Sequence, residues 1–122
     1  MGHGRKITGG KYKAFSKRKK YAIPGTPRKV KLRENKSKVL RGLGGSKKTV
    51  LLSADHVNVI DTKTKKTKKV KIKNVIETPS NKFLARQNIL IKGAIIETDL
   101  GKAKITNRPG QEGQINAILL KE

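Results

Sequence analysis

Cysteine is absent from this chain of 122 residues, so neither a disulfide framework nor a thiolate metal site can form. Acid is scarce as well: 8 Asp and Glu stand against 31 Lys and Arg, a formal net charge of +23 at pH 7. Acid–base chemistry therefore has few carboxylates to draw on, and no Gly-x-Ser-x-Gly nucleophile motif occurs. No long apolar segment spans a bilayer, and no basic stretch carries the apolar face of a surface-lying helix. The opening residues, Met1-Gly2-His3-Gly4-Arg5-Lys6, lack the apolar region of a secretory signal. Lys6 stands where a myristoylation signal requires Ser or Thr. Asn35-Lys36-Ser37 is a formal glycosylation sequon, but nothing directs the chain to a secretory compartment, and a cytosolic protein is expected.

What is abundant is positive charge. A chain this basic repels itself, and compaction costs free energy unless anions neutralise it, which makes a nucleic acid the natural partner. The charge is concentrated early. Residues 1–48 hold 17 Lys and Arg and one acid, Glu34, whereas residues 49–122 hold 14 Lys and Arg and seven acids. Residues 1–29 combine glycine, proline and like charge, including the run Lys17-Arg18-Lys19-Lys20, and carry too little apolar surface to offset the entropy of ordering. They read as an extended basic arm. Tyr12, Phe15 and Tyr21, three of the chain's four aromatics, lie within it. Two uses stand open for them: stacking on unpaired bases, or fastening the arm to the rest of the protein.

Residues 30–122 form the second unit, with its aliphatic residues clustered from Val50 onward. Thr49–Ser53 and Val57–Ile60 are apolar runs, and Lys69-Val70-Lys71-Ile72-Lys73 alternates strictly, with Val70 and Ile72 facing inward. Thr78-Pro79 reads as a helix cap followed by proline at the first helical position, opening a short helix to about Arg86. Ile89–Ile91, Ala94–Thr98, Lys102–Thr106 and Ile115–Leu120 follow as strands. The turns between them are Lys92-Gly93, Leu100-Gly101 and Asn107-Arg108-Pro109-Gly110, the last expected to be of type II with Gly110 at positive φ. Many short strands in so small a span predict a mainly β fold, a small closed or nearly closed barrel with one short helix.

His3 and His56 have no cysteine to share a metal with, and Asp55-His56, if neighbours in a strand, would point to opposite faces; a turn with a solvated histidine is the stronger reading. Gly42-Leu-Gly-Gly-Ser-Lys-Lys-Thr49 is not a phosphate loop of the NTPase type, because Lys47 stands where glycine must precede the Lys-Ser/Thr pair. The dinucleotide fingerprint fails at the same residue. A glycine loop flanked by Arg41, Lys47 and Lys48 remains, readable as an RNA contact or as a hairpin turn with solvated lysines. Lys69, Lys71 and Lys73 form a one-sided row, either solvated or facing phosphates. Arg108, at the start of its turn, has the planar fork suited to phosphate. No cofactor, metal or small-molecule substrate is expected.

A resemblance sharpens this. Arg5-Lys-Ile-Thr8-Gly9-Gly10, followed by the basic run, resembles the opening of the S8e family of archaeal and eukaryotic small-subunit ribosomal proteins. Asn74-Val75, Asn81, Arg86-Gln-Asn88-Ile89, Lys92-Gly93-Ala94-Ile-Ile96-Glu97-Thr98, Gly101-Lys-Ala103 and Thr106-Asn-Arg108-Pro109-Gly110-Gln111-Glu-Gly113-Gln-Ile-Asn116-Ala117 resemble it in order and spacing. The glycine loop departs: members carry Arg-x-Arg-Gly-Gly-Asn where this chain has Arg41-Gly-Leu-Gly-Gly45-Ser46. The long central insertion of eukaryotic members is missing, as in the archaeal short form.

The resemblance implies a non-catalytic component of the small ribosomal subunit, bound to ribosomal RNA beside other ribosomal proteins. Residues and resemblance together nominate as RNA contacts Arg5, Lys6, Thr8, Gly9, Gly10, Lys11, Tyr12, Lys13, Phe15, Lys17, Arg18, Lys19, Lys20, Tyr21 and Arg28 in the arm. Arg41, Lys47, Lys48, Lys69, Lys71, Lys73, Arg86, Arg108, Gly110 and Gln111 are nominated in the β unit. A general nucleic-acid-binding or chromatin protein is the alternative.

Overall fold

A computed structural model describes residues 4–13 and 17–120. Among these residues, nine strands and one short α-helix follow each other in the order β1 (Val30–Leu32), β2 (Lys36–Arg41), β3 (Lys47–Ala54), β4 (His56–Ile60), β5 (Thr67–Glu77), α1 (Lys82–Arg86), β6 (Ile89–Leu90), β7 (Ile95–Thr98), β8 (Gly101–Ile105) and β9 (Asn116–Leu119).

The predicted barrel is present and closed. It runs β4-β5-β7-β8-β9, and the ring is completed where β9 lies parallel to β4, Ala117 opposite Val59. Closure leaves this Val- and Ile-rich sheet without an edge for another chain to pair with. The alternation on β5 is as expected: Val70 and Ile72 are buried, and Lys69, Lys71 and Lys73 are exposed. Beyond Ile72 the ladder with β7 shifts register twice, and Val75 is the next inward residue.

A second sheet, of order β2-β3-β1-β6, was not foreseen. β1 and β2 lie in the stretch whose aliphatic residues look scattered. β1 is inserted between β3, to which it is parallel, and β6, to which it is antiparallel. Val30 is fully buried. Both sheets contribute to a single core in which Val30, Leu51 and Leu90 meet Val57, Val59, Ile72, Ile96, Ile105 and Ile115. Each such side chain, fully buried, contributes about 1.5–3 kcal/mol relative to exposure. Ala94, Ala103 and Ala117, all fully buried, supply the small side chains that so narrow a barrel requires.

Two local expectations are corrected. The helix is capped by Asn81, not Thr78: the Asn81 side-chain oxygen accepts from Phe83 N–H at 3.0 Å, and helical residues begin at Lys82. Thr78 instead ends the approach, its carbonyl accepting from Asn81 N–H at 3.1 Å. An Asn with its side chain already poised for the cap competes better than the Thr-Pro pair three residues earlier. The Arg108–Gln111 turn is also not of type II. Gly110 is absent from the positive-φ glycines, and the Arg108 carbonyl accepts from both Gln111 N–H (2.9 Å) and Glu112 N–H (3.1 Å), as in a helical turn. Gly110 lies against the start of β1: a Cβ there would make ordinary contact with Arg28, 3.4 Å from its carbonyl oxygen and 3.5 Å from its Cβ.

Candidate nucleic-acid interface

Every described residue from Gly4 to Lys29 is exposed, as arm residues without a core must be. The arm nevertheless has local form. Arg5 and Lys11 make an antiparallel bridge, Lys6 N–H donates to the Gly10 carbonyl, and Gly9 N–H donates to the Lys6 carbonyl, both at 2.9 Å. The Arg5 guanidinium closes the loop on the Gly9 carbonyl at 2.9 Å. Gly9, at φ 79°, takes the left-handed position that bulkier residues resist. The result is a compact turn that carries Arg5, Lys6 and Lys11 at its base and Thr8, Gly9 and Gly10 along its rim. The Lys6 ammonium sits 5.7 Å from the centre of the Tyr12 ring. Lys13, Lys17, Arg18 and Lys19 have no regular structure, and Lys20 and Tyr21 lie in a short 3-10 turn, Lys20–Ala22. Tyr12 is 56 % exposed and Tyr21 88 % exposed. Tyr21 thus does not fasten the arm to the β unit. Phe15 lies outside the described residues.

At the base of the arm, three segments converge. β2 and β3 form a hairpin in which Arg41 lies opposite Lys47 and Leu40 opposite Lys48. The glycine loop is its turn: Gly42 N–H donates to the Ser46 carbonyl at 2.7 Å, and Gly44 and Gly45 both have positive φ. The Lys48 ammonium donates to Gln111 Oε1 at 2.5 Å, and Leu51 N–H to the Pro109 carbonyl at 3.2 Å. Because Gly110 lies against Arg28, Arg28, Arg41, Lys47, Lys48, Gly110 and Gln111 belong to one region. Arg108 is exposed beside it and makes no ion pair with any described residue.

The loop after Arg108 is held by a residue that sequence reasoning missed. Asn107 donates to Glu112 Oε2 at 2.8 Å and to the Gln114 carbonyl at 2.7 Å, and its oxygen accepts from Asn116 N–H at 3.0 Å. Gly113 was missed too. A Cβ there would stand 3.0 Å from Thr49 Cγ2, so the loop reaches β3 only because this residue has none.

The lysine row on β5 is exposed on the outer wall of the barrel, with His56 of β4 opposite Lys71 and Asn58 opposite Lys69. Lys73 is partly neutralised by Asp99 at 3.2 Å. Lys69, His56, Asn58, Asn35 and Gln114 line a shallow cleft of about 240 Å³ where the barrel meets the second sheet. The turn expected at Asp55-His56 is present, but His56 is not left to solvent alone. Asp55 occupies the bend between β3 and β4, not a strand, so its carboxylate turns back to accept from His56 Nδ1 at 2.6 Å. That hydrogen bond holds the Asp55 carboxyl below its ordinary value of 3.8. Asp61 is lowered too, first by the Lys63 backbone N–H and then by the Thr64 hydroxyl, in the loop before β5. No group of three metal-ligating His, Cys, Asp or Glu side chains occurs among the described residues.

Arg86 belongs to a different place. It lines a cleft of about 480 Å³ between α1 and β5, and its guanidinium lies 5.9 Å from the centre of the Phe83 ring. No helix among the described residues is long and apolar enough to cross a membrane.

Comparison with known proteins gives one consistent result. The family model described as Ribosomal protein S8e matches residues 1–120. The small ribosomal subunit protein eS8 of Methanococcus aeolicus is 49 % identical over 119 residues, which is 97 % of this chain and 93 % of that protein. The protein of the same name from Sulfurisphaera tokodaii is also 49 % identical over 119 residues, with the same coverage. That from Methanocorpusculum labreanum is 44 % identical over 117 residues, 96 % of this chain and 94 % of its own length.

Proposed function

The chain belongs to the ribosomal protein S8e family, and from that premise we propose that it is a structural constituent of the small ribosomal subunit. Its arm binds ribosomal RNA, and its barrel anchors the arm and the surface at the arm's base. It is not an enzyme, and it works in the ribosome in the cytoplasm. Its partners are small-subunit ribosomal RNA and neighbouring ribosomal proteins.

The observation that carries the RNA reading is the arm itself. Residues 4–29 contain ten Lys and Arg and no acid, and none of the described ones is buried. Arg5 donates to the Gly9 carbonyl and Lys6 sits over the Tyr12 ring, yet all ten cations are exposed and within reach of phosphates, and binding that displaces condensed counterions follows. The compact turn at Arg5–Lys11 presents backbone and cations together, and Tyr12 and Tyr21 offer flat faces for unpaired bases. At the arm's base, Arg28, Arg41, Lys47, Lys48, Arg108 and Gln111 extend the same surface. Lys69, Lys71 and Arg86 add cations on the barrel and α1, while Lys73 is already engaged by Asp99.

Deleting residues 1–27 tests this reading. The truncation keeps Arg28, whose backbone meets Gly110, and removes no buried residue among those described. Circular dichroism should show an intact β unit, while affinity for small-subunit ribosomal RNA should fall by orders of magnitude at matched salt. Equal affinity of the two chains would refute the role of the arm. Equal preference of the full chain for duplex DNA and folded ribosomal RNA would favour a general nucleic-acid binder instead.

A further inference from the structure

The cleft between α1 and β5 has features that positive charge alone does not account for. Lys82 and Arg86 stand on its helical side, as expected of a phosphate-facing surface. Glu77, at the end of β5, lines the same cleft and forms no ion pair with any described residue. A carboxylate kept beside two cations in so basic a chain opposes phosphate. Its matching ligand is a neutral N–H donor.

Besides the apolar Val75, Ile76 and Ala85, the remaining walls carry polar groups with capacity to spare. Asn74 Oδ1 accepts from Val75 N–H at 2.9 Å and Asn88 Oδ1 approaches the same N–H at 3.4 Å, which directs both carboxamide NH2 groups elsewhere as donors. Thr78, also a lining residue, is completely buried, and its Oγ1 has no hydrogen-bond partner. Asn88 is fixed with φ at 51°, a conformation that non-glycine residues hold where the surroundings impose it. It is imposed here from both sides: Asn88 N–H donates to the Ala85 carbonyl, and its own carbonyl accepts from Leu32 N–H, both at 2.9 Å. Phe83, the one aromatic outside the arm, is not itself among the residues that line the cleft, but it is 68 % exposed and its ring lies 5.9 Å from the guanidinium of Arg86, which does line it.

The geometry points to a binding site for one unstacked guanine nucleotide of RNA in this cleft. Guanine is the base whose Watson–Crick edge offers two adjacent N–H donors, which match the two oxygens of Glu77. The Asn74 and Asn88 amides serve its acceptors, Lys82 and Arg86 the phosphate, and Phe83 with Arg86 gives a stacking surface. The cleft's volume lies within the range of small-molecule sites. This inference rests on the RNA-binding reading and deepens it by naming a base.

The test uses the full chain, labelled with 15N and 13C, titrated with each of the four nucleoside 5′-monophosphates and with inorganic phosphate. Salt is set at about 0.15 M, where the screening length is about 8 Å and loose attraction to the arm is reduced. Guanosine monophosphate should move the Asn74 and Asn88 side-chain amides and the Phe83 ring saturably, and bind at least about fivefold more tightly than the other three. Glu77→Gln should abolish that preference. Phe83→Leu should weaken all four nucleotides by at least about fivefold, the lower end of a base-stacking contribution. Both side chains are exposed, so neither change should alter the melting temperature.

Shifts confined to the arm, equal affinity for all four nucleotides in the parent, or identical shifts with inorganic phosphate alone would each overturn the assignment. A silent cleft in a chain that still binds ribosomal RNA removes the cleft alone. A chain that takes guanosine monophosphate here but ignores ribosomal RNA removes the subunit reading alone.

Discussion

Asn107 and Arg108 are adjacent and do opposite things. Asn107 spends its three polar contacts inside the protein, tying Glu112, Gln114 and Asn116 into one loop. Arg108 spends none there. Asn107→Ala should therefore destabilise the free protein by about 2 kcal/mol, taking roughly 0.5–1.5 kcal/mol for each hydrogen bond lost in a partly exposed setting. Arg108→Lys should leave thermal stability unchanged yet weaken RNA binding, because lysine cannot reproduce a bidentate fork. Equal affinities of Arg108→Lys and parent at two salt concentrations would take Arg108 out of the interface.

Such roles were only partly legible in the sequence. Arg-Pro-Gly-Gln announced a turn, but proline at its second position suits type I as well as type II, and the Glu112 N–H that also bonds the Arg108 carbonyl lies beyond the four-residue pattern. Asn107 looked like ordinary turn chemistry because its partners are defined only once β8 and β9 pair. The cations of the arm needed no structure to be read, since they are dense in the sequence and no acid stands among residues 4–29.

At the scale of elements, the sequence speaks where burial is one-sided and periodic. β5 alternates because one face meets the barrel core and the other meets water, and Val70 and Ile72 were placed from that alone. β2 has no fully buried residue, hence no alternation to find; it exists because its backbone pairs with β3. At Asp55-His56 the turn was legible, since Asp55 does sit in a bend, but the contact was not: the bend lets the carboxylate reach back to His56 Nδ1, where a solvated histidine was expected.

That contact has a consequence in acid. A carboxyl held below 3.8 by His56 contributes stability that is present above the unfolded value and is lost as pH falls through the folded one. Asp55→Asn should thus melt below the parent at pH 7, with the difference closing toward pH 2. A constant difference across that range, followed by thermal melts, would assign the effect to something other than the carboxylate. In the arm, the elements at issue are aromatic. Changing Tyr12, Phe15 and Tyr21 together to leucine keeps charge and bulk and removes flat rings. RNA affinity should fall, by about 1–3 kcal/mol for each ring that stacks, with the salt slope unaltered. Unchanged affinity would mean that charge alone holds the arm.

For the molecule as a whole, stability and binding respond to salt in opposite directions. A net charge of +23 on 122 residues makes the folded state store repulsion that the expanded chain relieves, and a unit this small has little core to set against it. The arm worsens the balance, since residues 1–27 add eight cations and no acid while the described ones bury nothing. Raising salt screens that repulsion over a shorter distance, about 8 Å at 0.15 M and 3 Å at 1 M. The free chain should accordingly melt at higher temperature in 0.5 M than in 0.05 M sodium chloride, by several degrees. The chain lacking residues 1–27 should melt above the parent at low salt and gain less from added salt. RNA affinity must behave the other way: each phosphate contact made adds about −0.7 to −0.9 to the slope of the logarithm of affinity against the logarithm of salt concentration. Truncation should flatten that slope by as many contacts as the arm makes. If the truncated chain melts below the parent at low salt, the arm stabilises the fold through contacts of its own, and the picture of a solvated arm waiting for phosphate is wrong.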